Sequence, residues 1–218
     1  MYPKNDTFYP TYLCGTALLG DFGRDFPASE TATLKLGNMK PSASHSQEVN
    51  RLVNEYFDQG DYRTAISLLQ KEIAQHPDEH WPYAQLAISH YELKEYEAAL
   101  RYSEKAVSLS PECPLTLDYH ASILLANGRA EQALAMWNYL LNKNIYEVAY
   151  GECGEGMRFA KSLLNDARFS VGDAYLELKD KEKALFYYKA HLGNRQRGTF
   201  SNLKRREVLT EINQLEMV

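Results

Sequence analysis

From about Ser46 to the end of the chain, apolar residues recur every three or four positions, which is the spacing of one face of an α-helix. The clearest example lies between residues 80 and 113. There the spacing predicts two amphipathic helices, over about 82–93 and 96–109, joined by a tight polar turn. A helical hairpin of this size cannot bury its own apolar face, so we expect similar hairpins on both sides of it.

The hairpin pattern repeats with a period of 34 residues, the distance from Pro77 to Pro111. This period divides the chain into units at residues 46–79, 80–113 and 114–147. Small residues stand in register in the second helix of each unit, and turn residues stand in register between its two helices. These positions are Ala65, Ala99 and Ala133, and Gly60, Lys94 and Gly128.

Three consecutive units in one 34-residue register resemble the tetratricopeptide-repeat family, over about residues 46–193. One such unit would be weak support because the motif is degenerate at every position, but three in register are strong support. The resemblance implies an all-α fold, namely a right-handed α-solenoid of helix-turn-helix repeats.

A fourth unit, at about residues 165–193, follows out of register. Ala184 and Tyr188 take the positions of its second helix, and Gly172 takes the close-approach position of its first helix. Before this unit, a glycine-rich turn at residues 151–156 leads into a periodic stretch. That stretch predicts one long inserted helix, starting near residue 156 and ending near 178.

The two ends of the chain differ from the repeats. Residues 1–44 hold four of the eight prolines and show no lasting helical period, which predicts an irregular or partly disordered arm. Residues 194–218 predict a basic connection and then a helix from about Ser201 to Glu216. An array needs its last apolar face covered, so we expect this helix to cap it.

The composition of the chain limits its possible partners and its location in the cell. The net charge of −5 disfavours nucleic acid or an anionic membrane as a partner of the whole surface. No run of 18 apolar residues is present, so we expect no membrane span. Three scattered cysteines do not make a disulfide framework, and a reducing, cytoplasmic location is the default expectation.

The resemblance assigns the inner, concave surface of the array to the first helix of each unit. Its lining would be apolar and aromatic in the middle, with carboxylates beside it. We expect such a groove to bind a protein or peptide with apolar anchors and basic residues. The expected contact residues are Asn50, Asn54, Trp81, Ala84, Ile88, Tyr91, Asp118, Ser122, Phe169 and Asp173.

A cluster of basic residues occupies the long helix and the C-terminal connection. It predicts contact with an acidic partner surface or, alternatively, a solvated face that pairs with Glu152, Glu155 and Glu182. Nucleic acid is not expected, because the connection holds too few aromatic residues to stack bases. The cluster consists of Arg158, Lys161, Arg195, Arg197, Lys204, Arg205 and Arg206.

The pattern of residues predicts no catalytic group, cofactor or metal ion. Cys153 lies in the glycine-rich turn beside acidic residues and without a histidine close in sequence, which favours a simple turn over a reactive thiol. His76 and His80 flank a polar turn in which the sequence supplies no third or fourth metal ligand. We therefore expect solvated side chains there.

These observations favour a non-enzymatic scaffold that acts as an adaptor, a chaperone or an inhibitor of a partner protein. Two alternatives stay open. One is an enzyme-associated or regulatory protein that acts through the glycine-rich turn and the long helix. The other is a scaffold that associates with itself, for example as a homodimer.

Overall fold

The computed structural model describes residues 43–151 and 153–217, so the arm predicted over residues 1–44 lies almost entirely outside the described residues, as does Glu152. The described residues form ten α-helices and no β-strand. In chain order the helices are α1 Ala43–Asp58, α2 Tyr62–Gln75, α3 His80–Glu92, α4 Tyr96–Leu109, α5 Pro114–Ala126, α6 Ala130–Asn142, α7 Ile145–Tyr150, α8 Met157–Glu177, α9 Lys181–Gln196 and α10 Arg205–Glu216.

The helices pack in antiparallel pairs that follow one another along a solenoid. α1 packs on α2, α3 on α4, α5 on α6 and α8 on α9, and the second helix of each pair contacts the first helix of the next. α10 packs on α9 at the end of the array and buries Val208 and Ile212 there. The fold is therefore an all-α solenoid with a C-terminal capping helix. None of the described helices is long and apolar enough to cross a membrane.

Small residues allow the paired helices to approach closely at the positions that the repeat register predicts. Ala65, Ala99 and Ala133 are all 0% exposed. In the last pair, a Cβ on Gly172 would lie only 2.5 Å from Cε1 of Tyr188. Real Cβ atoms do not approach a ring carbon so closely, so glycine makes room for the tyrosine ring.

The turns between paired helices each contain one residue in the left-handed conformation. Gly60, Lys94, Gly128 and Lys179 have φ angles of 70°, 61°, 73° and 63°. Glycine adopts this conformation readily, whereas another residue is strained by about 1–2 kcal/mol. The shared angle shows that the four turns are structurally equivalent.

Some helix ends differ from their predicted positions. α3 begins at His80, two residues earlier than predicted, because Pro82 then lies in the first turn, where its missing N–H has no helical partner to lose. α10 begins at Arg205 rather than Ser201, and the N–H of Lys204 before it donates to Oε2 of Glu207 at 3.2 Å. This bond marks the start of the helix.

The short helix α7 was not predicted. It lies within the insertion between the third and fourth units, where the Asn144 side chain accepts a hydrogen bond from the N–H of Tyr146 at 2.9 Å and caps the helix. α8 follows it and covers the stretch that predicts one long helix. α8 packs against α5, α6, α7 and α9, so the insertion is part of the array and not a separate arm.

Candidate functional site

The inner surface predicted from the sequence is not accessible at the third unit, because its first helix, α5, is buried. Every residue of α5 from 114 to 124 is buried, and α5 contacts α3, α4, α6 and α8. Asp118 and Ser122 are 8% and 6% exposed, so they lie between helices and offer a partner little surface. This corrects the prediction that they line an open groove, because α5 is packed against α3, α4, α6 and α8.

Asp118 connects two helices of the core instead. Its Oδ1 accepts a hydrogen bond from Nε1 of Trp137 at 2.8 Å, and the Ser122 hydroxyl donates to its backbone carbonyl at 3.0 Å. Burial, with a smaller contribution from the Asp166 carboxylate, raises the pKa of Asp118 to about 7. Asp118 is thus a buried carboxyl group that joins α5 to α6.

Three more of the predicted contact residues are buried. Ile88 is 0% exposed, Ala84 is 4% exposed and Asn54 is 7% exposed. Ala84 and Ile88 belong to the main apolar core, and Nδ2 of Asn54 donates to Oδ1 of Asn50 at 3.2 Å. The prediction that these three contact a partner is corrected, because neighbouring helices cover the positions that the repeat register assigns to the surface.

Asn50, Trp81 and Tyr91 keep partly exposed side chains, and they are named here the α1–α3 surface. Trp81 packs against the apolar residues where α1, α2 and α3 meet, yet its indole Nε1 has no acceptor among the described residues. Glu92 follows Tyr91, and burial raises the pKa of its carboxyl group to about 7. This surface is the accessible remainder of the predicted groove in the first two units.

In the last unit, Phe169 and Asp173 are held against Tyr188 of α9. The Phe169 and Tyr188 ring centroids are 4.7 Å apart, and Oδ1 of Asp173 accepts a 2.5 Å hydrogen bond from the Tyr188 hydroxyl. Burial raises the pKa of Asp173 to about 7. Both side chains therefore serve first to pack α8 against α9.

A cleft of about 620 Å³ opens beside the first turn of α8. Arg158, Lys161 and Arg195, three members of the predicted basic cluster, meet at its lining. The guanidinium carbon of Arg158 lies 5.2 Å from the ring centroid of Phe200, which is 49% exposed. We name this feature the basic cleft, lined by Met157, Arg158, Lys161, Arg195, Gly198, Thr199, Phe200 and Ser201.

The connection between α9 and α10 forms one wall of the basic cleft. Gly198 has a φ of 89°, which turns the chain after the end of α9. Arg195 donates to the backbone carbonyl of Leu203, and the N–H of Asn202 donates to Oδ2 of Asp166 at 3.0 Å. These bonds anchor the connection to α8 and α9.

The other four residues of the predicted basic cluster lie outside the lining of the basic cleft. Arg197 is exposed at the end of α9, and Nζ of Lys204 lies 3.7 Å from Oε1 of Glu207. Arg205 and Arg206 are exposed in the first turn of α10. The structure therefore divides the cluster into three residues that line the basic cleft and four that lie outside it.

Ser201, His191 and Asp166 lie next to one another behind the basic cleft. The Ser201 hydroxyl is 3.4 Å from Nε2 of His191. On the other side of the same ring, Nδ1 of His191 is 3.8 Å from Oδ1 of Asp166. However, this Nδ1 is 2.9 Å from the backbone carbonyl of Asn165, which is the better hydrogen-bond partner. With His191 0% exposed, the group joins α8 and α9 to the connection and does not have the geometry of a nucleophile and its base.

A cluster of two thiols and an imidazole joins three separate segments of the chain. His80 begins α3, Cys113 directly precedes α5, and Cys153 lies between α7 and α8. Nε2 of His80 is 3.2 Å from Sγ of Cys153, and the ligand atoms of all three residues lie within 4.8 Å of one another. The contact with Cys153 holds the pKa of Cys113 below its usual value, although burial opposes this effect.

The sequence predicts none of this cluster, since it treats His80 as a solvated turn residue and finds no histidine close to Cys153. The structure corrects the first expectation, because His80 is part-buried and contacts Cys153, which lies 73 residues away in sequence. One signal was present in the sequence. Residues 80 and 113 are the first and last residues of the second unit, almost one 34-residue period apart, so each lies where the first helix of a unit begins.

Two family models, each described as a tetratricopeptide repeat, match the chain over residues 56–115 and 166–192. The first match covers the second helix of the first unit and the whole second unit, and the second match covers the last unit. No curated protein matches the sequence.

Solved structures of repeat proteins resemble this fold. A structure from a functional characterization of Pseudomonas aeruginosa pilF has a TM-score of 0.62 at 18% identity, covering 78% of this chain and 67% of that chain. A Podosopora anserina putative kinesin light chain with nearly identical TPR-like repeats has a TM-score of 0.59 at 13% identity, covering 82% and 88% of the two chains. A MamA protein has a TM-score of 0.56 at 13% identity, covering 81% and 83%.

At these identities the likeness to solved structures shows the fold alone. The family matches identify the repeat as the tetratricopeptide type. One match lies before the insertion and the other after it, and both fall on helix pairs of the solenoid. Proteins built from this repeat are scaffolds for protein–protein interaction and are generally not catalysts. The chain is a tetratricopeptide-repeat protein.

Proposed function

We propose that this protein is an adaptor that binds an acidic segment of a partner protein in the basic cleft. The observation that supports the proposal is the convergence of three cationic side chains and one exposed aromatic ring on a single concavity.

The positive charge of the basic cleft favours a partner segment with acidic residues. None of the described residues that line the cleft is acidic, and three of them, Arg158, Lys161 and Arg195, carry a positive charge. A partner carboxylate entering the cleft would be attracted by these charges, and arginine can bind it through two parallel hydrogen bonds. Phe200 would contact an apolar residue of the same segment.

The size of the basic cleft favours an adaptor over a chaperone. A chaperone that shields aggregation-prone chain needs a long apolar surface. The closure of α5 interrupts the inner surface on which such a chain would lie. A short acidic sequence fits the remaining concavity, and nucleic acid is disfavoured by the net charge of −5.

The α1–α3 surface is a second candidate binding surface, suited to a segment with apolar anchors and basic residues. Its support is the Trp81 indole Nε1, which lacks an acceptor among the described residues. A backbone carbonyl of a bound peptide would supply that acceptor after a small movement of the ring. The exposed carboxylate of Asp58 on α1 would attract a basic residue.

Selection from a random peptide library tests which surface binds and which chemistry it prefers. Immobilised full-length protein is exposed to the displayed library, and the enriched peptides are sequenced. We expect enrichment of peptides that combine Asp or Glu with an apolar residue. Their binding should fall at least about 10-fold in the Arg158→Glu, Lys161→Glu double variant, since two attractive contacts become repulsive.

A matched control separates the basic cleft from general charge. The Arg205→Glu, Arg206→Glu double variant makes the same change of charge on the exposed first turn of α10, and we expect it to keep most of the binding. Equal loss in both double variants would contradict the cleft. Enrichment of basic, apolar peptides that bind wild type and not Trp81→Ala would assign the function to the α1–α3 surface instead.

A further inference from the structure

We propose that His80, Cys113 and Cys153 form a binding site for a thiophilic divalent cation of the zinc class. The site would use Nε2 of His80 and the two sulfur atoms, three donors that already lie within 4.8 Å of one another. Thiolate and imidazole are the ligands that zinc prefers, whereas magnesium and calcium prefer oxygen. The inference goes beyond the proposed adaptor role and does not depend on it.

The repeat architecture explains why the three donors meet. His80 and Cys113 lie at the starts of α3 and α5, the first helices of neighbouring units, and these helices are in contact. The insertion then brings Cys153 to the same edge through the connection between α7 and α8. The three residues belong to three different segments of the chain. The packing of each segment therefore fixes the position of its own ligand residue.

The distances between donors fit a tetrahedral ion after small side-chain rotations. With a Zn–S bond of about 2.3 Å and a Zn–N bond of about 2.0 Å, neighbouring ligand atoms in a tetrahedron lie about 3.5–3.8 Å apart. Nε2 of His80 and Sγ of Cys153 are 3.2 Å apart, and no pair in the cluster exceeds 4.8 Å. Rotation about a Cα–Cβ bond moves a sulfur by enough to close these differences.

The burial of the cluster leaves one side open. Cys113 is 3% exposed, while His80 and Cys153 are partly exposed. An ion held by the three donors would therefore have its fourth position directed outwards, where a water molecule or a partner side chain can complete the tetrahedron. Each thiol would release its proton to solvent as the ion binds, so that both sulfurs coordinate as thiolates.

The ion would fasten the insertion to the array. Cys153 lies in the connection that enters α8, and the first turns of α8 carry Arg158 and Lys161 of the basic cleft. Holding Cys153 against α3 and α5 would restrict the movement of that connection. We therefore expect the site to stabilise the native protein, as any ligand does that binds the folded state and not the unfolded chain.

Zinc titration of the full-length protein tests the site. The protein is reduced with a phosphine, freed of metal with a chelator, and titrated with zinc chloride against a chromophoric competitor. We expect one zinc ion per chain and no competition from magnesium or calcium. Cobalt(II) in place of zinc should give the intense absorption of tetrahedral coordination, together with sulfur-to-cobalt charge-transfer bands.

Single substitutions locate the ligands. Cys153→Ser replaces one partly exposed sulfur by oxygen, so the fold should persist, which far-UV circular dichroism checks. We expect zinc affinity to fall by at least about 100-fold, because even residues behind the ligands change affinity by 10–100-fold. Cys14→Ser is the matched control, since it also removes one thiol but keeps His80, Cys113 and Cys153, and its zinc affinity should equal that of wild type.

Thermal unfolding supplies an independent readout, because zinc should raise the midpoint of wild type and Cys14→Ser but not that of Cys153→Ser. Equal zinc affinity in wild type and Cys153→Ser would overturn the proposal, as would loss of binding in Cys14→Ser. It would also be overturned if the reduced wild-type protein took up no zinc and Cys113 and Cys153 only formed a disulfide on oxidation.

Discussion

Asp118 is a carboxyl group that the packing of α5 has removed from water. Its hydrogen bond from Trp137 favours the charged form, but burial outweighs this bond and raises the pKa to about 7, above the ordinary value of 3.8. A raised pKa means that the folded protein holds this proton more tightly than the unfolded chain. The stability that Asp118 contributes is therefore fully present below pH 4 and is lost as the pH rises through 7.

The Asp118→Asn variant should remove this pH dependence. Asparagine keeps an oxygen that can accept from Nε1 of Trp137 but carries no charge at any pH. We expect the free energy of unfolding of the variant to rise relative to that of wild type as the pH rises from 4 to 7, because over this range the unfolded chain has lost the Asp118 proton and the folded protein still holds it. By pH 8 the variant should be the more stable, by on the order of 1.4 kcal/mol or more.

Urea unfolding at pH 5, 6, 7 and 8 measures this difference. At each pH, the free energy of unfolding of wild type is subtracted from that of the variant. This subtraction cancels the contributions of Glu92, Asp173 and other titrating groups. A difference that stays constant from pH 5 to pH 8 would show that Asp118 is already ionised at pH 5 and that its burial has less effect than described above.

At single residues, the sequence predicts the spacing of the inner positions but not their exposure. Trp81 and Ile88 both belong to the inner face of one helix, yet Trp81 is partly exposed and Ile88 is 0% exposed. The periodicity of α3 defines only which positions share a face. Whether a neighbour covers that face depends on how α3 packs against α2, α4 and α5, which the period of α3 does not contain.

The pairing of α8 with α9 depends on Gly172 and Tyr188. A methyl group at residue 172 would meet the tyrosine ring at 2.5 Å, and moving the ring would break its hydroxyl bond to Asp173. We expect Gly172→Ala to destabilise the protein by about 1–3 kcal/mol, because it overpacks the contact between the two helices. Thermal or urea unfolding measures the change.

Gly193 provides the matched control, since it is also a helical glycine but lies in an open environment. Its nearest outside atom to a new Cβ is the end of the Arg197 side chain, at 3.9 Å. Gly193→Ala should therefore leave stability unchanged or raise it by about 0.5–1 kcal/mol through helix propensity. Equal effects of the two substitutions would contradict the close contact at Gly172.

Helices were predictable where a sustained local period defines them. α4 has the bounds that the sequence predicts, and the single long stretch of α8 follows from apolar residues on one face over about six turns. α7 has only six residues, too few for a period to be recognised. Its cap Asn144 is the one local signal for it, because asparagine favours the position before a helix.

At the scale of the whole molecule, the insertion determines what the repeats can do. It places α8 against α5 and α6, and it brings Cys153 to His80 and Cys113. It also places the start of α8 beside the α9–α10 connection, where the basic cleft forms. These contacts join segments that no local pattern relates, so the sequence could predict the array and the cluster of basic residues but not the cleft.

Amide chemical shifts measured by NMR during titration with an enriched acidic peptide test the adaptor role most directly. We expect saturable shifts centred on residues 157–161 and 195–201, the two sides of the basic cleft. The Arg158→Glu, Lys161→Glu double variant should show none of them at the same peptide concentrations. Shifts centred on Asn50, Trp81 and Tyr91, with none in the cleft, would contradict the proposed binding site.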